Sequence, residues 1–329
     1  MPVLSIIIPN YNSGKLLQRC LKSIVKNQAD IQVVVVDDGS NDNSATIAEK
    51  IDPRVQLVRQ NNQGVSAARN NGLANADGQY VMFADADDCF DPNWADYVLP
   101  ALSNSSDLFL FNYYNGRKKV PIIDHSADLI GTDFANHRLK MLENPTKFLT
   151  VWGKVLRMEV ITSHQLIFNS QLRLAEDGDF MVRYLIHCQN ILTNDHYLYH
   201  YLDNENSVMR SFDANKVADY LKAMTVTTAA VEQTHDSALI HANSFYILMH
   251  LNVMMVRDVF NIDNPEPFAQ KLRRLKGTLK VPVIKTALVD VHLNECRSPR
   301  TVPILLLKMK CYRLAALTFI TRSKQNHHN

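Results

Sequence analysis

Over the first ninety residues, four short β-rich runs alternate with helical stretches, and this alternation constrains the fold more than any other feature. "VLSIIIP", "IQVVVVDDGS", "VQLVRQ" and "QYVMFADADD" read as strands. Between them, Leu16 to Asn27, Ser44 to Ile51 and "GVSAARNNGLANA" read as helices, the first with Leu17, Leu21, Ile24 and Val25 on one face. The second strand is almost continuously apolar, as expected where helices cover both faces of a sheet. Such units close by right-handed crossovers, so the expected class is α/β with a mainly parallel sheet flanked by helices. Ligands of these sheets lie beyond the carboxyl ends of the strands. Strands one, two and four end there in "PNYN", "DDGS" and "DADD", three polar clusters on one rim.

The middle of the chain, about 93–212, is mixed. "DLFLFNYY" reads as a strand, while "VWGKVLRMEVI" and "EDGDFMVRYLIHC" read as helical or leading into helices. From Asp213 to Ile262 Gly and Pro almost vanish and helices are expected; "NPEPF" breaks them, and a basic, helix-rich tail follows, punctuated by Pro282, Pro299 and Pro303. The division expected is 1–212 as the catalytic domain and 213–329 as a helical basic appendage.

With 46% hydrophobic and 21% charged residues, disordered and fibrous classes are excluded. The net charge of +2 hides an asymmetry: residues 270–329 carry 13 Lys or Arg against Asp290 and Glu295. A basic tail on an acidic body points to an anionic surface as the tail's partner. The five cysteines are scattered without a close pair, which suits a reducing cytoplasm and excludes a disulfide framework. "MPVLSIIIPN" meets Pro9 too soon for a cleavable signal, and no apolar run is expected to span a membrane. A cytoplasmic protein is expected, peripheral on the inner membrane if the tail binds lipid.

Asp85, Asp87, Asp88 and Asp91 crowd the end of the fourth strand, where like charges repel and desolvation is costly. Asp87, aided by Asp85 or water, can hold Mg²⁺ or Mn²⁺ while leaving room for phosphate oxygens. A solvated acidic loop is the plainer reading, and an EF-hand is excluded because Phe90 stands where its glycine belongs. At the second strand's end, Asp37 or Asp38 can accept a pyrimidine imide N–H while Tyr11 offers a ring for stacking. The alternative is that Asp38 and Ser40 cap the next helix and Tyr11 packs inside. Neither a Walker loop nor G-x-G-x-x-G occurs, so a bound diphosphate would need metal and Arg69 to meet its charge. Downstream, Glu176 and Asp177 of "LRLAEDGDF" can supply a general base, or simply complement a helix dipole.

On "SIIIPNYNSGKLLQRCLKSI", "VVVVDDGSNDNS", "NNQGVSAARNNGL", "ADGQYVMFADADD" and "AEDGDF", in this order, the chain resembles the family-2 glycosyltransferases of the GT-A fold, among them bacterial surface-polysaccharide enzymes. The likeness is firm over about 1–110 and reaches 210 through "VWGKVLRMEVI" and "LYHYLDNENSVMR". It implies a nucleotide-sugar half, 1–100, and an acceptor half, 101–212. Pro9 and Tyr11 would flank the base, Asp38 would bond it, and Asn62 would lie near. Arg69 would steady the acidic loop or the diphosphate, Asp85 would touch ribose or sugar, and Asp87 would ligate Mn²⁺ or Mg²⁺. Asp177 would be the base, with Glu176 the runner-up, giving single displacement with inversion.

The implied activity moves one sugar, from a UDP-sugar by the Tyr11 and Asp38 pattern, to a glycan or lipid-linked oligosaccharide hydroxyl; nucleic acid is not a partner. GDP- and dTDP-sugars fit the same pattern. The Gln-X-X-Arg-Trp element of processive relatives is absent after the acid pair, so single additions are expected. Gly178 stands where relatives carry a bulky residue. Competing readings are a sugar nucleotidyltransferase, which lacks its glycine-rich loop here, and a non-catalytic nucleotide-sugar-binding scaffold. His196 and His200 in a strand-like "HYLYHY" are expected to pack or face solvent. Trp152 and Lys154 either line the sugar site or are a core Trp and a surface Lys.

Overall fold

In the computed structural model, residues 2–25, 30–202 and 216–328 are described. The expected boundary at 212/213 and most of "LDNENSVMR" lie outside them. The chain divides into two compact units: 1–137 with 150–171 and 176–204, and 138–149 with 172–175 and 205–329.

The first unit is built on one sheet. Its strands are β1 (Leu4–Asn10), β2 (Ile31–Asp37), β3 (Val55–Arg59), β4 (Tyr80–Phe83), β5 (Cys89–Phe90), β6 (Leu108–Asn115), β7 (Lys118–Val120), β8 (Ala127–Leu129), β9 (Lys154–Arg157) and β10 (Ile191–Tyr201). The order is β3-β2-β1-β4-β9-β6-β10-β5, with β7 beside β6 and β8 beside β10. The first four strands run parallel, as do β6 and β10; β9 runs antiparallel between β4 and β6.

Helices α1 (Gly14–Val25), α2 (Ser44–Ile51) and α3 (Val65–Ala74) are the crossovers that the alternation predicts. Leu17, Cys20, Leu21 and Ile24 of α1 bury their stripe on Leu4, Ile6, Ile8, Val33 and Val35 of the sheet. On α3, Gly72 is what lets the helix lie close: a Cβ there would come within 2.3 Å of Ile7 Cγ2. The remaining helices of this unit are α4 (Trp94–Ala101), α7 (Met158–Ser163) and α8 (Glu176–His187); α5 (Gly131–Glu143) starts in this unit and ends in the other.

Two expectations need correction. Of the two readings of "VWGKVLRMEVI", the helical one fails for "KVLR" and the one leading into a helix holds: "KVLR" forms β9, because β4 and β6 each leave an edge that an antiparallel strand can satisfy, and α7 follows directly. The second concerns apolar length. In the second unit, α10 (Ser237–Met254) continues into a π-helix at Met255–Val259, and the segment Ser237–Val259 is long and apolar enough to cross a membrane, with mean hydropathy 1.3. His241, Asn243, His250 and Asn252 interrupt its apolar run in the sequence. Since 83% of its most apolar window is buried inside the protein, it reads as a core helix.

The rest of the second unit is helical: α6 (Pro145–Phe148), α9 (Lys216–Glu232), α11 (Phe268–Thr278), α12 (Pro282–Asp290), α13 (Val302–Lys308) and α14 (Tyr312–His328). Asp236 caps α10, its carboxylate accepting from the Ala238 and Leu239 amides at 3.0 and 3.2 Å.

Candidate functional site

Parallel register alone sets Asn10 beside Asp37 at the carboxyl ends of β1 and β2. The Asn10 amide donates to Asp37 Oδ1 at 3.0 Å and to Ser40 Oγ at 3.1 Å, and the Asn12 N–H donates to Ser40 Oγ at 2.8 Å. "PNYN" and "DDGS" are thereby one locked surface, with Pro9 half-buried and the Tyr11 ring 49% exposed. Gly39, at φ 80°, lets the second turn lie against the loop carrying exposed Asn62; a Cβ would meet the Asn62 nitrogen at 3.0 Å.

Asp38 is buried, and its carboxylate is largely occupied. It accepts from Gln60 Nε2 and from the Gln63 and Gly64 amides, each at 2.8 Å. A carboxylate offers about four acceptor positions, so roughly one remains. The anticipated capping of α2 by Asp38 does not form: the carboxylate instead holds the loop that leads into α3.

Arg69 is the hub. Its position on α3 leaves it only 3% exposed, with the guanidinium 5.3 Å from the Phe168 ring centroid. Nη1 contacts Asp177 at 2.6 Å and Glu176 at 3.1 Å; Nη2 contacts Asp85 at 3.2 Å. One cation thus gathers acids from the end of β4 and from the start of α8, over 90 positions apart. Burial pulls the guanidinium's proton affinity down, but Asp177, Asp85 and Glu176 outweigh it and hold the group charged. Burial, reinforced by Asp177 against the pull of Arg69, pushes Glu176 up to about 7. Burial likewise pushes Asp85 up to about 6, opposed by Arg69 and reinforced by Asp177 and Asp87.

The rest of "DADD" is held from beneath. Arg19 of α1 donates to the Asp87 carbonyl at 2.6 Å, and the Tyr199 hydroxyl accepts from the Asp85 N–H at 2.9 Å. Asp88 is buried and accepts from the Leu202 amide at 2.8 Å; burial and the Asp85 charge push its carboxyl up to about 8. Asp88 is therefore a structural acid that ties this loop to the end of β10. Sequence reading named none of Arg19, Asp88 or Tyr199 for these duties. Only the acidic crowding hinted that some would need internal partners.

The "VWGK" segment reverses its plain reading: Lys154 is buried and Trp152 is half-buried. Trp152 stacks on Tyr199 and Tyr201 with ring centroids 5.0 and 5.5 Å away. His196 is exposed and stacks on Tyr97, and His200 stacks on Tyr114. Among the described residues, no group of three or more His, Cys, Asp or Glu side chains could hold a metal ion by itself. A cation sharing its shell with a ligand's phosphates fits this donor set nonetheless. Asp85 and Asp87 are hard oxygen donors; burial, reinforced by the Asp177 and Asp87 charges, raises the Asp85 carboxyl, and a divalent ion would oppose that rise.

Comparison with known proteins follows the same lines. The family described as Glycosyl transferase family 2 matches residues 5–162. EpsH of Bacillus subtilis (strain 168) is 25% identical over 332 residues, covering 96% of this chain and 94% of its own. The poly(ribitol-phosphate) beta-N-acetylglucosaminyltransferase TarP of Staphylococcus aureus (strain N315) is 25% identical over 66% of this chain and 67% of its own. Among solved structures, S. aureus TarS 1–349 in complex with UDP-GlcNAc superposes with a TM-score of 0.71 at 20% identity, over 99% of this chain and 92% of that one.

Proposed function

Because this chain belongs to glycosyl transferase family 2, we propose that it moves one sugar from a UDP-sugar to a hydroxyl of a bacterial glycan or glycolipid, with inversion at the anomeric carbon. The observation that carries this reading is the Arg69 fork, which brings the β4-end acids and the α8 acids onto one rim. The TarS neighbour's complex with UDP-GlcNAc and the TarP relative's activity support a uridine donor carrying an N-acetylhexosamine or hexose.

In this reading Pro9, Tyr11 and Asn62 border the base, and the remaining acceptor position of Asp38 takes its N–H. Asp85 touches ribose or sugar. Asp87, with Asp85, would hold Mn²⁺ or Mg²⁺, which supplies electrostatic stabilisation of the departing diphosphate. Asp177 takes the proton from the acceptor hydroxyl as that oxygen bonds to the anomeric carbon. The bond from that carbon to the diphosphate oxygen breaks, and its electron pair leaves with the nucleoside diphosphate. Arg69 fixes the carboxylate for this step. One observation favours a second assignment: Glu176, pushed up to about 7, has the proton affinity suited to a general base at neutral pH, whereas Asp177 is gripped at 2.6 Å.

The C-terminal helices add a membrane reading. Lys308 and Arg322 are spent on the Leu288 and Pro299 carbonyls within their own unit. Lys310, Arg313 and Lys324 are exposed beside exposed Met309, Leu314 and Leu317, a mixture suited to an anionic leaflet on the cytoplasmic face of the inner membrane.

A mass-spectrometric screen of UDP-, GDP- and dTDP-sugars with Mn²⁺ and each variant tests the proposal. Asp177→Asn should lose at least about 10²-fold in rate, as general-base removal does. Full activity in Asp177→Asn with loss in Glu176→Gln would transfer the role to Glu176. Unchanged Mn²⁺ dependence in Asp87→Asn would overturn the metal assignment.

A further inference from the structure

Lys154 is a buried lysine with no carboxylate contact among the described residues to account for it. It lies on β9, 1% exposed, and its Nζ donates to the Thr150 hydroxyl at 3.1 Å and to the Trp152 carbonyl at 3.4 Å. Both acceptors are neutral, and an ammonium buried on neutral acceptors is costly. Its bonds close a turn over Thr150–Lys154, with Gly153 in the left-handed region at φ 69°. That turn faces the reacting groups twice. The Val151 N–H donates to Asp177 Oδ2 at 3.4 Å, and Trp152 stacks on Tyr199, whose hydroxyl accepts from the Asp85 N–H.

We propose that Lys154 is a positioning residue for the α8 acids, holding the Thr150–Trp152 turn against Asp177 and countering that carboxylate's charge from within the sheet. The inference rests on the transferase reading above. It accounts for a charge placed where a Leu or Met would otherwise pack: burial pulls the ammonium down to about 7, and the Asp177 charge pulls the other way. Arg69 and Lys154 then hold Asp177 from two sides, the first through a direct contact and the second through the turn.

The test needs no substrate at its first stage. In protein labelled with ¹³C,¹⁵N-lysine, the Lys154 amine is followed by NMR across pH and identified by its shift in Thr150→Val. Its midpoint should fall by about one unit in Asp177→Asn, because loss of a nearby anion disfavours the ammonium. An unmoved midpoint overturns the proposal whatever the enzyme's turnover. At the second stage, with the donor found by the screen, Lys154→Met should lower kcat by about 10- to 100-fold, the scale of a displaced reacting group. KM for the donor should stay put, and the acid limb of the kcat–pH profile should move to higher pH as the α8 acids lose a nearby cation. Thr150→Val, which keeps the cation and removes a tether, should lower kcat without moving that limb. A Lys154→Met variant with reduced stability but an unchanged kcat and profile would mark the residue as packing only. If wild type transfers no sugar at all, the transferase reading fails, and the NMR result still decides whether Lys154 answers to Asp177.

Discussion

Replacing Arg69 by Met removes one cation from three carboxylates and leaves a side chain of similar reach. Arg69 is 3% exposed, while Glu176 and Asp177 retain side-chain exposures of 15% and 22%. Removing one partner from a buried charge group costs about 3–5 kcal/mol, because the survivors stay desolvated. The cost should depend on pH in a definite direction. Asp85 and Glu176 have folded-state values raised to about 6 and about 7, so the folded unit binds their protons more tightly than the unfolded chain. Stability from this source is complete below the unfolded carboxyl range and is lost as pH rises through those values. Without Arg69 both carboxyls rise further, and the variant can neutralise them at pH 5.5. One extra proton over two pH units is worth about 2.7 kcal/mol. The penalty should therefore be about 3–5 kcal/mol at pH 7.5 and about 0.3–2.3 kcal/mol at pH 5.5. The two tryptophans, Trp94 and Trp152, both lie in the first unit, so urea unfolding followed by their fluorescence reads this unit alone. A penalty that is constant or larger at pH 5.5 would refute the charge-hub account.

Three further outcomes follow from other parts of the fold. Gly72→Ala forces a methyl to within 2.3 Å of Ile7 Cγ2 and should cost about 1–3 kcal/mol by the same fluorescence assay. Asp236→Ala strips two amide bonds from the start of α10 and should cost about 1 kcal/mol, seen as faster hydrogen exchange in its first turn. His241 sits between Asp290 at 2.7 Å and Glu295 at 2.9 Å; burial lowers its pKa, but those two bonds outweigh burial and raise it overall. Its stabilisation is present below the unfolded value near 6.5 and lost above the raised one. His241→Gln should thus cost up to about 1 kcal/mol at pH 5.5 and little at pH 9, measured by exchange in α10 and α12.

The parallel half of the sheet was legible because its strands are buried on both faces and announce themselves as apolar runs between amphipathic helices. β9 was not legible. Four residues that include a lysine carry no strand signal, and its formation depends on edges supplied by β4 and β6, each over 40 positions away. The acids and Arg69 could be picked out by type and position at element ends. That one arginine joins residues 85, 176 and 177 could not, since spacing along the chain says nothing about which loops share a rim. Asp38 shows the opposite limit: its place was visible, but its three internal donors come from residues 60–64, and nothing in their order shows that this loop folds back onto the end of β2. A helical course for 237–259 was legible, but its apolar length was not, because His241 and the buried Asn243, His250 and Asn252 dilute the apolar run.

Residues 138–149 and 172–175 are grouped with the C-terminal helices, although the chain on either side of them belongs to the sheet unit. Met141, Leu142, Phe148 and Leu149 are buried there. A protein severed after residue 204 would strand these side chains in water, so neither half is a free-standing cassette. Recombining the front of one such enzyme with the back of another should succeed only when both short excursions travel with the back.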